Sequence, residues 1–281
     1  MKKKQEELLE NQDIEIRLLI EAIFQKYGYD FRNYSQAHIK RRIINRFNIS
    51  GLKTISEMIH EVLNNPKFVE ILLMDLSITV TEMFRDPSFY KTIREEVIPI
   101  LQPHPFIKIW HAGCSSGEEV YSMAIILNEE GLYNKTQIYA TDFNPVIIRQ
   151  AKEGNYPMSR MKEFTINYQK AGGKHSFADY YSAHYDSAKL SDSLKKNIVF
   201  ATHNLVTDSV FAEVNMVICR NVLIYFDRLL QDKVIQLFAE SLAGGGILCL
   251  GSKENLQFSE LYDQFSPLVE SERIYMKKHS V

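Results

Sequence analysis

Phe106–Asp142 reads FIKIWHAGCSSGEEVYSMAIILNEEGLYNKTQIYATD. An apolar run, Phe106–His111, predicts a strand and leads into a turn with two glycines, Gly113 and Gly117. A helix is expected to begin near Glu118, with Val120, Met123, Ala124 and Leu127 on one face. A second strand, Gln137–Thr141, ends on Asp142. Strand, glycine turn, helix, strand and terminal acid together suit a nucleotide-like ligand. The glycines let backbone approach it, and the acid can accept hydrogen bonds from two ribose hydroxyls.

The details narrow the ligand. Gly113 and Gly117 are spaced G-x-x-x-G, not the G-x-G-x-x-G of dinucleotide enzymes, and no Lys-Ser/Thr follows the second glycine. A pyrophosphate seeks free helix N-terminal amides without nearby negative charge. Here Glu118 and Glu119 occupy the first turn. Two acids suit a ligand with a ribose and a cationic centre but no phosphate, and S-adenosylmethionine is one. Glu119 is expected only to stabilise the helix N-terminus.

Working outward, residues 1–90 read as helices. Ile14, Leu18, Ile20 and Phe24 suggest an amphipathic first helix stopped near Gly28. A second is expected over Ser35–Asn48 with Gly51 as its stop, a third over Ser56–Leu63, and a fourth after Pro66 through Phe68, Ile71, Leu72 and Met74. In the second, Ile39, Ile43 and Phe47 share one face, and His38, Arg41, Arg42 and Arg46 the other, with Lys40 outside that arc. No acid interrupts the run from Phe31 to Ser56, so the basic stripe suggests an acidic partner surface. The polar segment Ser77–Pro87 reads as a linker.

Beyond Asp142, Asn144-Pro145 opens a helix that ends at Gly154. Residues 155–196 lose the strand–helix alternation and are longer than an ordinary connection, so an inserted subdomain is expected, with short strands within Phe177–Leu194. Alternation resumes with strands Ile198–Thr202 and Asn215–Cys219, a helix Leu229–Leu242, a Gly244–Gly246 turn into Ile247–Leu250, and a last strand within Glu272–Lys278. Polar residues stand at successive strand ends, where an open α/β sheet binds ligands.

Composition bounds the rest. The 281 residues carry 45% apolar side chains, enough for a sizeable core, and a net charge of −2, which disfavours a general nucleic-acid binder. Cys114, Cys219 and Cys249 form no C-x-x-C pair and read as buried hydrophobes of a reducing compartment. The start, MKKKQEELLE, lacks the apolar core of a signal peptide, and no run of about 18 uncharged apolar residues predicts a membrane span. A cytoplasmic protein without a metal is expected.

Taken together, these motifs resemble the chemotaxis receptor methyltransferases, the CheR family. That family has a helical N-terminal domain, a T-x-x-F-R-D/E linker, an A/G-x-S-S/T-G-E-E turn, an S/T-D strand end, an H/N-N-L strand end and a C-R-N-V-x-I-Y-F segment. The counterparts here are Thr81–Asp86, Gly113–Glu119, Thr141-Asp142, His203–Leu205 and Cys219–Phe226, in family order. The resemblance implies a Rossmann-like α/β methyltransferase domain with a seven-stranded sheet at 91–281, after a helical domain and linker at 1–90. It implies S-adenosylmethionine as methyl donor and glutamate carboxylates on chemoreceptor helices as acceptors. By motif position Thr79, Thr81, Arg85, Glu118, Asp142, Asn204, Leu205, Arg220 and Asn221 would contact the cofactor. Arg85 and Tyr225 would lie nearest the transferred methyl, and Arg41, Arg42 and Arg46 would meet the substrate. A monomer is expected, reaching membranes only through receptors.

Met83 stands where the family usually has an aromatic, and residues 155–196 match poorly. In relatives that region is a small antiparallel subdomain, which in some members grips a tethering peptide. Three other readings stay open: a methyltransferase on another acceptor, a cofactor-binding signalling module without catalysis, and an NAD-dependent dehydrogenase, which the glycine spacing opposes.

Overall fold

The computed structural model describes residues 2–77, 81–257 and 259–279, with side chains from residue 10 onward. Its contacts divide the chain into two units, Met1–Ile78 with Tyr225–Gln231, and Thr79–Ile224 with Asp232–Val281. The motif segment Thr81–Asp86 thus groups with the larger unit.

The smaller unit holds α1 (Lys2–Tyr27), α2 (Gln36–Ser50), α3 (Ile55–Asn64) and α4 (Pro66–Leu76). Its starts and stops follow local chemistry. The Thr54 hydroxyl caps α3 and the Asn65 side chain caps α4, while Gly51 ends α2 in the left-handed region. The buried stripe of α1 is Ile16, Leu19, Ile20 and Ile23, rotated from the expected one: Ile14 and Leu18 are 41% and 54% exposed. Apolar residues surround α1, so spacing alone did not select the face. In α4 Val69, Leu72, Leu73 and Leu76 are buried, and Ile71 is exposed.

In the larger unit, α5 (Pro87–Thr92) runs through a π-helical turn at Ile93–Val97 into α6 (Ile98–Leu101). Then follow β1 (Ile107–Ala112), α7 (Glu118–Glu129), β2 (Thr136–Asp142) and α8 (Pro145–Glu153). Next come β3 (Asn155–Pro157), α9 (Met161–Lys170), β4 (Tyr181–His184) and β5 (Ser187–Leu190). The remaining elements are β6 (Ile198–Thr202), β7 (Val214–Cys219), α10 (Arg228–Ser241, of which Arg228–Gln231 group with the smaller unit), β8 (Leu242–Leu250), β9 (Phe265–Val269) and β10 (Ile274–Lys277). Among the described residues, seven strands form one sheet in the order β6-β2-β1-β7-β8-β10-β9. The first five are parallel, and β10 runs antiparallel to both β8 and β9. This is the expected Rossmann-like sheet. The chain moves from β1 through β2 to β6, then crosses to β7 on the other side of β1. That reversal makes a crevice beyond the carboxyl ends of β1 and β7.

Two expectations change. Gly244–Gly246 lie inside β8, at a register irregularity against β7, rather than in a turn before it. Helix α7 is buried all round from Val120 to Leu127, not on one face. Its outer side is covered by the segment 155–196, whose Tyr156, Phe164, Tyr168, Phe177 and Tyr180 join the same core. A helix apolar on every side needs cover on every side. That segment is the expected small subdomain: α9 and a three-stranded antiparallel sheet, β3-β5-β4.

Candidate cofactor site

The site forms at the sheet reversal. After β1 the backbone amides of Gly113 and Cys114 both donate to the Thr141 carbonyl, at 2.9 and 2.8 Å, so the turn is tied to the end of β2. Gly113, Ser115 and Gly117 all have positive φ, at 78°, 49° and 93°. A Cβ on Gly113 would also lie 2.7 Å from Val222 Cγ2. Glycine is needed there because β7's following turn packs directly on it.

Asp142 ends β2 with its carboxylate held by backbone. The Ser115 amide donates to Oδ2 and the Asn144 amide to Oδ1, both at 3.1 Å. Burial pushes its pKa up, and the amides of Asn144, Ser115 and Phe143 work against that shift without cancelling it. The His203 amide reaches the Asp142 carbonyl at 3.1 Å, which sets the end of β6 and the His203–Leu205 motif beside it. There the Asn204 side chain accepts the Val206 amide at 3.0 Å, and Leu205 is buried.

Glu118 opens α7 and is only 2% exposed. The Ser116 hydroxyl donates to its Oε2 at 2.7 Å, and Arg160 Nη1 to its Oε1 at 3.3 Å. Burial pushes its pKa up to about 6, against the Ser116 hydrogen bond, a backbone hydrogen bond and the Arg160 charge. The folded value exceeds the ordinary 4.5, so its stability contribution is full below that pH and is lost as pH rises through about 6. A ligand held by the ionised carboxylate would give the opposite sign. Cofactor affinity measured by calorimetry is expected to fall by up to about tenfold per pH unit below 6, and Glu118→Gln is expected to flatten that dependence.

Glu119 does more than favour the helix terminus. Its Oε1 meets His111 Nδ1 at 3.0 Å and its Oε2 lies 3.6 Å from Arg220 Nη1. Burial would raise its pKa, but His111 and the charges of Arg220 and Arg85 more than offset this and hold it low. Arg220 is engaged internally as well. Its guanidinium donates to Asp86 at 2.6 Å, contacts the Arg85 carbonyl at 3.4 Å and lies over the Phe89 ring at 4.0 Å. It therefore braces the linker from within, a role that the strand-end position did not suggest.

The linker is anchored too. The Phe84 amide donates to Ser122 Oγ at 2.9 Å, and the Phe84 ring is buried against Tyr90 and Tyr168. Met83 is fully buried. Phe84 and Asp86 have positive φ, at 54° and 55°, so the chain kinks on both sides of Arg85. Thr81 offers its carbonyl to Arg160 Nη2 at 2.8 Å. Thr79 lies outside the described residues.

Sequence reasoning missed three contributors. Glu254 is a buried carboxylate that accepts the amides of Gly251, Asn221, Val222 and Ile224, at 2.6, 3.0, 2.8 and 3.3 Å. It holds Asn221 at φ 61°. Its signal, an acid shortly after β8, is common to many loops. Tyr156 donates its hydroxyl to the Ser116 carbonyl at 2.8 Å, and Arg160 joins Glu118 to Thr81. Both come from the stretch without recognisable periodicity.

The remaining predicted residues lie in the smaller unit. Arg42 donates to the carbonyls of Asp75 and Ser77, at 2.6 and 3.0 Å, and Arg46 pairs with the Asp75 carboxylate. These two arginines bind the end of α4, where carbonyls lack helical partners. The continuous basic stripe is therefore broken, and Arg41 is its exposed member. Tyr225 belongs to this unit, with its ring edge-on to His38 at 5.1 Å and its carbonyl accepting the Ser35 amide at 2.8 Å.

The donor set fits a ribose and a cationic group. Two buried carboxylates, Asp142 and Glu118, flank the turn, while the amides of Gly113, Cys114, Ser115 and Gly117 are already taken. A phosphate would find charge of the wrong sign and few donors.

Residues 79–272 match the family description "CheR methyltransferase, SAM binding domain", and residues 14–77 match "CheR methyltransferase, all-alpha domain". Cher3 of Pseudomonas putida is 54% identical over 267 residues, covering 95% of this chain and 98% of that protein. The chemotaxis protein methyltransferase of Listeria innocua is 29% identical over 231 residues, covering 82% and 85% of the two chains. That of Salmonella typhimurium is 25% identical over 260 residues, covering 90% and 87%. The chain belongs to the CheR methyltransferase family and is an S-adenosylmethionine-dependent methyltransferase.

Proposed function

We propose that this protein transfers methyl groups to side-chain carboxylates of glutamates on chemoreceptor helices, forming methyl esters. The observation that carries the reading is the agreement between the relatives named as chemotaxis protein methyltransferases and a site built from acids around a phosphate-excluding turn. Bound S-adenosylmethionine supplies an already activated methyl group. A glutamate carboxylate is already ionised at neutral pH, so the protein need not supply a general base. Its side chains must align the reactants, exclude water and neutralise the arriving anion.

Roles follow from chemistry and motif position. Asp142 accepts from the ribose hydroxyls, and Glu118 from the cationic end or the ribose side of the donor. Thr79, Thr81, Asn204, Leu205 and Asn221 complete the contacts. Arg85 controls the acceptor's charge and Tyr225 orients it. Arg220, held by Asp86 and Glu119, keeps the Arg85 backbone in place.

Arg41 is the residue of the basic helix best placed to meet an acidic receptor surface. Arg41→Glu is expected to raise the acceptor KM several-fold and to leave cofactor affinity unchanged. Arg42→Ala and Arg46→Ala are expected instead to lower the melting temperature, because they remove ties to α4. Equal loss of both kinetic properties in Arg41→Glu would remove Arg41 from the acceptor surface.

The acceptor is tested with a purified receptor cytoplasmic fragment. Mass spectrometry should find an added methyl on glutamate side chains and none after those glutamates are changed to alanine. Methylation confined to lysine, or to a soluble protein with the fragment untouched, would replace this acceptor with another.

A further inference from the structure

We infer that Arg160 is a positioning residue of the cofactor site, holding the Glu118 carboxylate and the Thr81 backbone in one arrangement and so making the inserted subdomain part of the binding machinery. The inference rests on the reading of Glu118 as a cofactor acceptor.

Arg160 lies between β3 and α9, at the end of the short 3-10 turn Met158–Arg160. One guanidinium nitrogen reaches Glu118 Oε1 at 3.3 Å, and another reaches the Thr81 carbonyl at 2.8 Å. The Phe164 ring lies beneath the guanidinium, 4.6 Å from centroid to carbon, and restricts how it can turn. Three separate stretches thus meet at one side chain: the linker, the α7 N-terminus and the subdomain. Tyr156 makes a parallel tie from the same subdomain to Ser116, whose hydroxyl holds the other Glu118 oxygen.

A partly exposed ion pair ordinarily contributes little to stability. Here the pairing is asymmetric: the Arg160 side chain is 32% exposed and that of Glu118 is 3%. A carboxylate buried to that degree is costly unless a cation and hydrogen bonds accompany it. Besides Arg160, Glu118 faces the Ser116 hydroxyl, the Tyr156 phenol and the Cys114 thiol, none of them cationic. On its outer side Arg160 lies 3.9 Å from Glu163, which in turn faces Glu82, while Arg85 also acts on Glu82. Arg160 is therefore placed to keep Glu118 ionised and aimed when the donor arrives.

The test is calorimetric titration of the full chain with S-adenosylhomocysteine from about pH 5 to 8.5. The set is the unmodified protein, Arg160→Ala, Arg160→Lys and Glu118→Gln. In the unmodified protein the affinity midpoint is expected near 6, where Glu118 titrates. Arg160→Ala should move it upward by about half to one unit, an opposite-charge effect reduced by exposure. Arg160→Lys should keep the midpoint near the original and remains informative if the alanine variant folds poorly. Glu118→Gln should abolish the dependence. A uniform loss of affinity in Arg160→Ala, with the midpoint fixed and Glu118→Gln flat, would overturn the inference alone. A pH dependence that survives in Glu118→Gln would overturn the Glu118 reading, whatever Arg160→Ala does.

Discussion

Glu254→Ala is expected to destabilise the larger unit by about 3–5 kcal/mol, in the range for breaking a buried charged network. Glu254 stands between two turns that follow β7 and β8, and its two oxygens accept four backbone amides. Removing it strands those donors in a turn where Asn221 already sits at positive φ and where a Cβ on Gly251 would lie 2.8 Å from the Asn221 amide. Thermal unfolding should show a melting temperature lower by about 6–20 °C, given roughly 2–4 °C per kcal/mol for a unit of this size. Glu254→Gln keeps one acceptor oxygen and should recover part of the loss. An unchanged melting temperature in the alanine variant would mean that the turn does not depend on this carboxylate.

Asp142→Ala should raise the dissociation constant for S-adenosylhomocysteine by about 10²–10⁴, the loss of charged hydrogen bonds to two ribose hydroxyls at about 1.5–3 kcal/mol each. Part of the effect comes through the turn, since Asp142 also holds the amides of Ser115 and Asn144. Asp142→Asn separates the two contributions. It can keep one amide contact but offers the ribose a weaker, uncharged acceptor, so it should fold normally and still bind more than tenfold more weakly. Calorimetry paired with a melting curve checks both. Wild-type affinity in a folded Asp142→Asn protein would move the ribose contact elsewhere.

The sheet was legible because β1, β2 and β7 are short apolar runs bounded by polar strand ends. A parallel sheet covered on both faces writes itself that way. Asp142, Glu118 and the glycine turn were legible for a related reason, since close backbone approach and terminal acids leave few residue types to choose from. Contacts between distant stretches were not legible. Arg42 and Arg46 looked like a free basic stripe because the groups that bind them, Asp75 and the α4 carbonyls, are some thirty residues away. Arg160 and Tyr156 sit in a stretch whose short strands and aromatics have no regular period. Their meaning came from α7, whose all-round burial requires the cover they help supply. Strand β9 went unread because a proline interrupts its five residues, which is tolerated at a sheet edge.

The direct test of carboxyl methylation is chemical. The purified protein is incubated with methyl-labelled S-adenosylmethionine and receptor-containing membranes, and the labelled product is treated with mild alkali. Methyl esters of glutamate hydrolyse under these conditions, so the account predicts that the label leaves a receptor-sized protein as volatile methanol. Label that stays on the protein through alkali would contradict it, because the methyl would then be on nitrogen or another acceptor that is not a carboxylate.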